Sequence, residues 1–171
     1  MKNSTNLNDY YILDKTDINK FWANGFIHLK NVLSKNEISF YRKEICKTAK
    51  KRFKNREKEF GGAFYQALNI RFDSEEVKKF CLSKRLGKIA ADLMKVSSVR
   101  IFHEQAIFKH PGDTKSYWHQ DQFFWPLDTN LHIGMWMPLI DCTKDMGIMR
   151  FVKKSHTCLL YTSDAADDMA S

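Results

Sequence analysis

The segment Trp118-His119-Gln120-Asp121 decides the fold assignment, because it sets an imidazole and a carboxylate two residues apart. In an extended segment, residues i and i+2 point to the same side, so the side chains of His119 and Asp121 converge on one point. Joined by a distant second histidine, they would complete the facial triad that holds Fe(II) with open coordination positions. A histidine and an aspartate in an ordinary surface turn give the same triplet, so the surrounding sequence has to decide.

The hydrophobic pattern around this segment changes from a helical period to a strand period. A first helix is predicted at residues 17–24, capped by Asp17 and ended by Gly25. A second follows a capping box formed by Ser34 and Glu37, a third starts at Ser74, and a fourth covers residues 84–95. Alternating apolar and polar positions predict strands at residues 26–33, 99–109, 131–140 and 148–153. Helices followed by strands indicate an α+β fold, or a β-sandwich with helices on one face.

Several motifs stand in a fixed order around Trp118-His119-Gln120-Asp121. A Pro-Gly turn at 111–112 precedes it, and a tryptophan-centred stretch at 134–141 follows it. Gly147-Ile148-Met149-Arg150-Phe151-Val152 then leads to Ser155-His156. This order resembles the phytanoyl-CoA dioxygenase family of Fe(II)/2-oxoglutarate oxygenases, and the likeness spans roughly Asn19 to His156.

The resemblance implies a mainly β fold, a cupin-like jelly roll (double-stranded β-helix) with the N-terminal helices packed outside it. It also implies that 2-oxoglutarate is decarboxylated to succinate with O2 while a C–H bond of a small molecule is hydroxylated. His119 and Asp121 would be the catalytic iron ligands. An aspartate at position 121 favours hydroxylation, because halogenating relatives replace this carboxylate to admit chloride.

Four other side chains are candidates for binding the co-substrate or the substrate. Trp136 corresponds to a tryptophan that lines the 2-oxoglutarate pocket of relatives, although an ordinary core aromatic would fit equally. Gln105 shares strand parity with His103 and could face 2-oxoglutarate. Phe123 and Trp125 follow the ligands on alternate positions, where they would either wall the substrate cavity or close the end of the barrel.

Relatives carry their distal iron-binding histidine, and the arginine that grips 2-oxoglutarate, several tens of residues beyond the position of His156. His156 is therefore not expected to be a ligand. Residues 158–167, Cys-Leu-Leu-Tyr-Thr-Ser-Asp-Ala-Ala-Asp, match the in-frame translation of a transposase adapter used in sequencing libraries. We expect residues 1–157 to be an incomplete oxygenase domain and residues 158–171 a non-native tail, so that the chain as written neither folds well nor binds iron tightly.

Composition limits the remaining possibilities. A length of 171 residues with 43% hydrophobic residues fits one globular domain, and no apolar run is long enough to span a membrane. The N-terminus has no apolar core typical of a secretory signal, so a cytoplasmic location is expected. The net charge of +8 is concentrated in a lysine- and arginine-rich stretch at 43–58, which is typical of a solvated helix face. Four scattered cysteines predict neither a zinc site nor disulfides.

The partner expected from these observations is a small molecule, with no nucleic acid and no membrane, and the sequence does not indicate an oligomeric state. The alternative to an enzyme is a non-catalytic jelly-roll binding module of the same fold. A third class, a basic protein that binds nucleic acid or an acyl carrier, depends on charge alone, and its binding would weaken steeply with salt.

Overall fold

The computed structural model describes residues 7–53 and 64–157, apart from the side chains of Phe53 and Phe123. Its helices are α1 (Lys15–Asn24), α2 (Lys35–Phe53), α3 (Glu75–Cys81) and α4 (Lys84–Met94). Strands β1 (Tyr65–Leu68) and β2 (Gln105–Phe108) pair antiparallel, with Tyr65 opposite Phe108 and Leu68 opposite Gln105. Helices and a small sheet together make the described part of the chain an α+β structure.

Helix α1 begins at Lys15, and its N-cap lies three residues earlier than the sequence pattern predicted. Asp14 is extended, and its carboxylate accepts a hydrogen bond of 2.7 Å from the backbone N–H of Asp17. The predicted cap, Asp17, is therefore wrong, because Asp14 already satisfies the donor that needed a partner and Asp17 lies in the first turn. Gly25 ends α1 as predicted, in the left-handed region with φ of 85°.

The next helices begin at the residues that the sequence indicates. The backbone N–H of Ser34 donates to Glu37 Oε2 at 2.7 Å, and the N–H of Glu37 donates to Ser34 Oγ at 3.3 Å, so the predicted capping box is confirmed. Ser74 caps α3 through the N–H of Val77, and Ser83 caps α4 through the N–H of Leu86. Each cap satisfies a backbone donor that the helix itself cannot satisfy.

The hydrophobic core lies between α2, α3, α4 and the small sheet. Tyr41, Ile45 and Ala49 recur at helical spacing, form an apolar stripe along one face of α2 and are buried. The residues they join in one cluster are Leu7, Ala67, Ile70, Val77, Phe80 and Leu86. Met137 and Leu139 pack against this cluster from outside, and this contact holds the stretch after the candidate ligands to the core.

Three of the four predicted strands are wrong. The segments 26–33, 131–140 and 148–153 are irregular, and of the predicted run 99–109 only Gln105–Phe108 is a strand. Alternation provides a segment with two different faces, but a strand also needs a neighbour to exchange N–H and C=O hydrogen bonds. Within the described residues only β1 and β2 have such a neighbour, and these two strands do not make a double-stranded β-helix.

Burial is uneven along the chain. Among the residues whose side chains are described, none after Leu93 is fully buried, although several are partly buried. Many large apolar side chains of this later part are exposed, including Tyr117, Phe124, Leu131 and Phe151. No helix in the described ranges is both long and apolar enough to span a membrane.

Candidate metal centre

His119 and Asp121 lie together on the surface of the later part of the chain. Their nearest atoms, His119 Nε2 and Asp121 Oδ1, are 3.5 Å apart, and the two side chains are 44% and 49% exposed. Gln120, between them, is extended, and Asp121 begins a single 3-10 turn at Asp121–Phe123. The convergence predicted for positions two apart is therefore present in the structure.

The histidine ring is oriented by its other nitrogen. His119 Nδ1 lies 2.8 Å from the carbonyl oxygen of Tyr117, which can only accept, so Nδ1 carries the proton. This hydrogen bond leaves Nε2 with its lone pair toward Asp121 when the ring is neutral. When the ring is protonated, Nε2 donates a hydrogen bond to the Asp121 carboxylate, and this bond, together with the one to the Tyr117 carbonyl, raises the pKa of His119 above its ordinary value.

Contacts with neighbouring segments hold the His119 segment in place. Gln120 Nε2 donates to the carbonyl of Ser155 at 2.8 Å, and the guanidinium of Arg150 lies 5.4 Å from the centre of the Trp118 ring. The ring of Phe124 meets the His119 imidazole edge to face at 5.5 Å. The candidate ligands are thus tied to the chain at 150–155 as well as to their own turn.

Trp125, which was also singled out from the sequence, is linked to the pair through Gly134. Both the Asp121 carboxylate and the Trp125 ring border Gly134: a Cβ added there would lie 3.3 Å from Asp121 Oδ2 and 4.0 Å from the Trp125 ring. Gln105 is linked to Trp125 through His103, since its Nε2 lies 3.1 Å from His103 Nε2. The His103 and Trp125 rings are 5.6 Å apart, edge to face.

Trp136 and Phe123 were also predicted to line the site. Trp136 is 42% exposed, whereas Met137 beside it packs against the core, so Trp136 is not an ordinary core aromatic. The backbone of Phe123 closes the 3-10 turn after Asp121, but its side chain lies outside the described residues.

Sequence patterns did not indicate Gln122, His132 and Gly134, which the structure brings to the same place. Gln122 is hydrogen-bonded both to the Leu127 carbonyl and to the His132 ring. His132 meets the Trp125 ring edge to face at 5.1 Å. These contacts join residues up to ten positions apart in an irregular loop, so no period in the sequence reveals them.

His156 lies at the C-terminal end of α1. Its Nε2 is 3.1 Å from the carbonyl oxygen of Trp22, and its ring covers Gly25. The backbone N–H of Lys154 donates to the Asn24 carbonyl at 2.8 Å, and Phe26 and Phe151 stack at 4.9 Å. The imidazole of His156 is thus used to satisfy a terminal carbonyl of the helix.

The donor set of His119 and Asp121 fits a divalent metal ion. An ion about 2.1 Å from each of two ligand atoms can bridge a separation of up to about 4 Å, and the observed separation is 3.5 Å. A ring whose other nitrogen donates to a carbonyl has the tautomer that metal ligands need. In the described ranges no group of three or more His, Cys, Asp or Glu side chains is placed to hold a metal, so His119 and Asp121 are candidate ligands as a pair.

The sequence pattern of a known family covers most of the chain. The family model described as "Phytanoyl-CoA dioxygenase (PhyH)" matches residues 21–169. The chain therefore belongs to the phytanoyl-CoA dioxygenase family, and the resemblance inferred from the motifs is confirmed. No curated protein and no solved structure matches the chain.

Proposed function

We propose that this chain is the Fe(II)- and 2-oxoglutarate-binding domain of a hydroxylase that acts on a small molecule. The observation that carries the proposal is the His119–Asp121 pair at 3.5 Å, with its imidazole oriented by a backbone carbonyl, in a chain of a dioxygenase family. Bound Fe(II) would supply the activation of O2 that couples decarboxylation of 2-oxoglutarate to hydroxylation of the substrate.

The residues of the chain would have separate roles in this reaction. His119 and Asp121 would hold the metal, and Tyr117 would keep the imidazole in the required tautomer. The negative charge of Asp121 also offsets part of the charge of a divalent cation, and Asp121 occupies the position that a halide would need. Because Asp121 leaves no room for a halide, the proposed reaction is hydroxylation rather than halogenation.

Four of the side chains singled out from the sequence would bind the organic molecules. Trp125, which borders Gly134 together with Asp121, would form the wall of the substrate site with Phe123. Gln105 and the exposed Trp136 would contact 2-oxoglutarate. A wall of aromatic side chains suits an apolar part of a substrate.

We further propose that the third metal ligand and the arginine for 2-oxoglutarate belong to a jelly roll encoded beyond residue 157, and that residues 158–171 are not native. The family match reaches residue 169, so it does not place this boundary, and the genomic nucleotide sequence is the test of it. We expect an in-frame histidine followed about ten residues later by an arginine. A genomic sequence that encodes residues 158–171 as written would contradict this proposal.

The metal site is tested with the genomic form of the protein and Mn(II), an octahedral ion of the same charge as Fe(II). Loss of the free-ion EPR signal measures binding, and His119→Ala should weaken binding at least tenfold, whereas the exposed histidine variant His28→Ala should not. The reaction is tested with the genomic form, in which Fe(II) should support release of succinate from 2-oxoglutarate and His119→Ala should abolish it.

The non-catalytic binding module remains the second candidate, because the described residues supply two metal ligands rather than three. The same experiment separates the two functions. A genomic form that binds a small molecule but releases no succinate above a metal-free control would favour the binding module and overturn the hydroxylase.

A further inference from the structure

Asp121 depends on its turn for its position. Its Oδ1 faces His119, and the Phe124 N–H donates to its backbone carbonyl at 2.9 Å, which closes the turn. Its side chain is 49% exposed, so burial alone does not fix the carboxylate. Whatever holds this turn therefore also holds the carboxylate.

Gln122 is the middle residue of the turn, and both the nitrogen and the oxygen of its side-chain amide are hydrogen-bonded. Its Nε2 donates to the Leu127 carbonyl at 2.9 Å, and this bond fixes which end of the amide is the oxygen. The Oε1 atom therefore accepts the hydrogen bond from His132 Nε2. Gln122 thus closes the loop from the turn to His132.

The chain after His132 passes directly beside the carboxylate. His132 packs edge to face against Trp125 with ring centres 5.1 Å apart, and Trp125 and Asp121 both border Gly134. Because Gly134 has no side chain, the backbone of this segment approaches Asp121 Oδ2 closely, and a Cβ there would be only 3.3 Å from that oxygen. One face of the carboxylate is therefore limited by the segment that His132 anchors.

We propose that His132 is a positioning residue for the metal ligand Asp121, acting through its hydrogen bond to Gln122 and its packing on Trp125. His132 itself makes no contact with the metal in this arrangement. The role of Asp121 as a ligand rests on the proposed function, whereas the coupling of His132 to the turn rests on the contacts alone.

The first test measures Mn(II) binding to the genomic form by EPR. His132→Ala and Gln122→Ala should each weaken binding about tenfold, as is usual when a partner of a metal ligand is lost. The double variant should be no weaker than either single variant, because both remove the same hydrogen bond. His132→Gln, which keeps an N–H donor, should recover most of the affinity, and His28→Ala should bind like the wild type.

The second test needs no metal. The 15N resonance of His119 Nε2 reports its contact with Asp121, and it should move in His132→Ala and remain unchanged in His28→Ala. If the wild type binds no Mn(II) in a way that depends on His119, the proposed function fails and the resonance alone decides this inference. An unmoved His119 resonance, a change in affinity below twofold, or additive effects of the two single variants would each overturn it.

Discussion

Gly25 ends α1 with φ of 85° directly beneath the ring of His156. Gly25→Ala should destabilise the protein by at least about 1–2 kcal/mol, because the left-handed conformation costs that much for a residue with a Cβ. The added methyl would also overlap the His156 ring. Chemical denaturation monitored by circular dichroism measures the change in the free energy of unfolding.

Gly87 is the matched control, because it lies inside α4 and a Cβ there would meet nothing within 4 Å. Gly87→Ala should stabilise the protein by about 0.5–1 kcal/mol, since alanine loses less conformational entropy in a helix. Equal effects of the two substitutions would contradict the structural explanation.

Cys81 packs against the core at the end of α3, and burial raises the pKa of its thiol to about 12. Because the thiolate is the reactive form, Cys81 should be alkylated by iodoacetamide very slowly at pH 8. Mass spectrometry of the folded chain should find Cys142 modified well before Cys81, and urea should remove the difference. Rapid labelling of Cys81 in the folded chain would show that its burial is wrong.

At the scale of elements, Arg85 joins three parts of the chain at the start of α4. Its guanidinium lies 3.0 Å from Glu37 of α2, donates to the Val32 carbonyl at 2.9 Å, and pairs with Asp9. Arg85→Ala should cost about 3 kcal/mol of unfolding free energy, because the Glu37 side chain, only 12% exposed, would keep an unpaired charge. Lys88→Ala, which breaks an exposed pair with Asp92 in the same helix, should cost less than about 0.5 kcal/mol.

The same ion pair predicts how stability depends on pH. Burial raises the pKa of Glu37, but the hydrogen bonds from Arg85 and Ser34 outweigh it, so the net pKa is lowered. A lowered pKa adds stability above the unfolded-state value of about 4.3, and this stability is lost as pH falls through the folded-state value. Glu37→Gln should therefore lose less stability between pH 6 and pH 3 than the wild type, as measured by urea unfolding. An equal loss in both proteins would contradict this pairing.

The helices were predictable from the sequence because their signals are local. Capping residues such as Ser34 and Ser74 lie within a few positions of the groups they satisfy, and the apolar stripe of α2 repeats every turn. Strands at 131–140 and 148–153 were not predictable in the same way, because their existence depends on a neighbour elsewhere in the chain. Alternation does persist at Trp136 to Ile140, where the even-numbered positions are exposed and Met137 and Leu139 face the core.

The residues of the candidate site were likewise predictable only where their contacts are local in sequence. His119 and Asp121 could be predicted because they are two residues apart on an extended segment, where side chains point to the same side. The structure places their nearest atoms 3.5 Å apart. Gln122 and His132 were missed because ten residues of irregular loop separate them. Trp125 and Asp121 both border Gly134, and the alternation of side chains along the chain did not predict this contact.

At the scale of the whole molecule, burial predicts the pattern of hydrogen exchange. Backbone amides of α2 and α4, which line the core, should open only with large free energies, whereas those at 109–157 should exchange through small local openings. Exchange followed by mass spectrometry should therefore show a boundary after Leu93, with β2 protected by its pairing with β1. Equal protection on both sides would contradict the placement of the core.

The contact between His156 and the end of α1 also has a consequence for folding kinetics. It joins residues 134 positions apart, so forming it closes a loop that includes almost all of the described chain. Such a loop is slow to close and gains its contacts only after the local helices exist. His156→Ala, which removes this contact and leaves the α1 cap in place, should therefore accelerate unfolding and leave the folding rate almost unchanged, giving a φ-value near zero, so that the last contact to form is also the first to break.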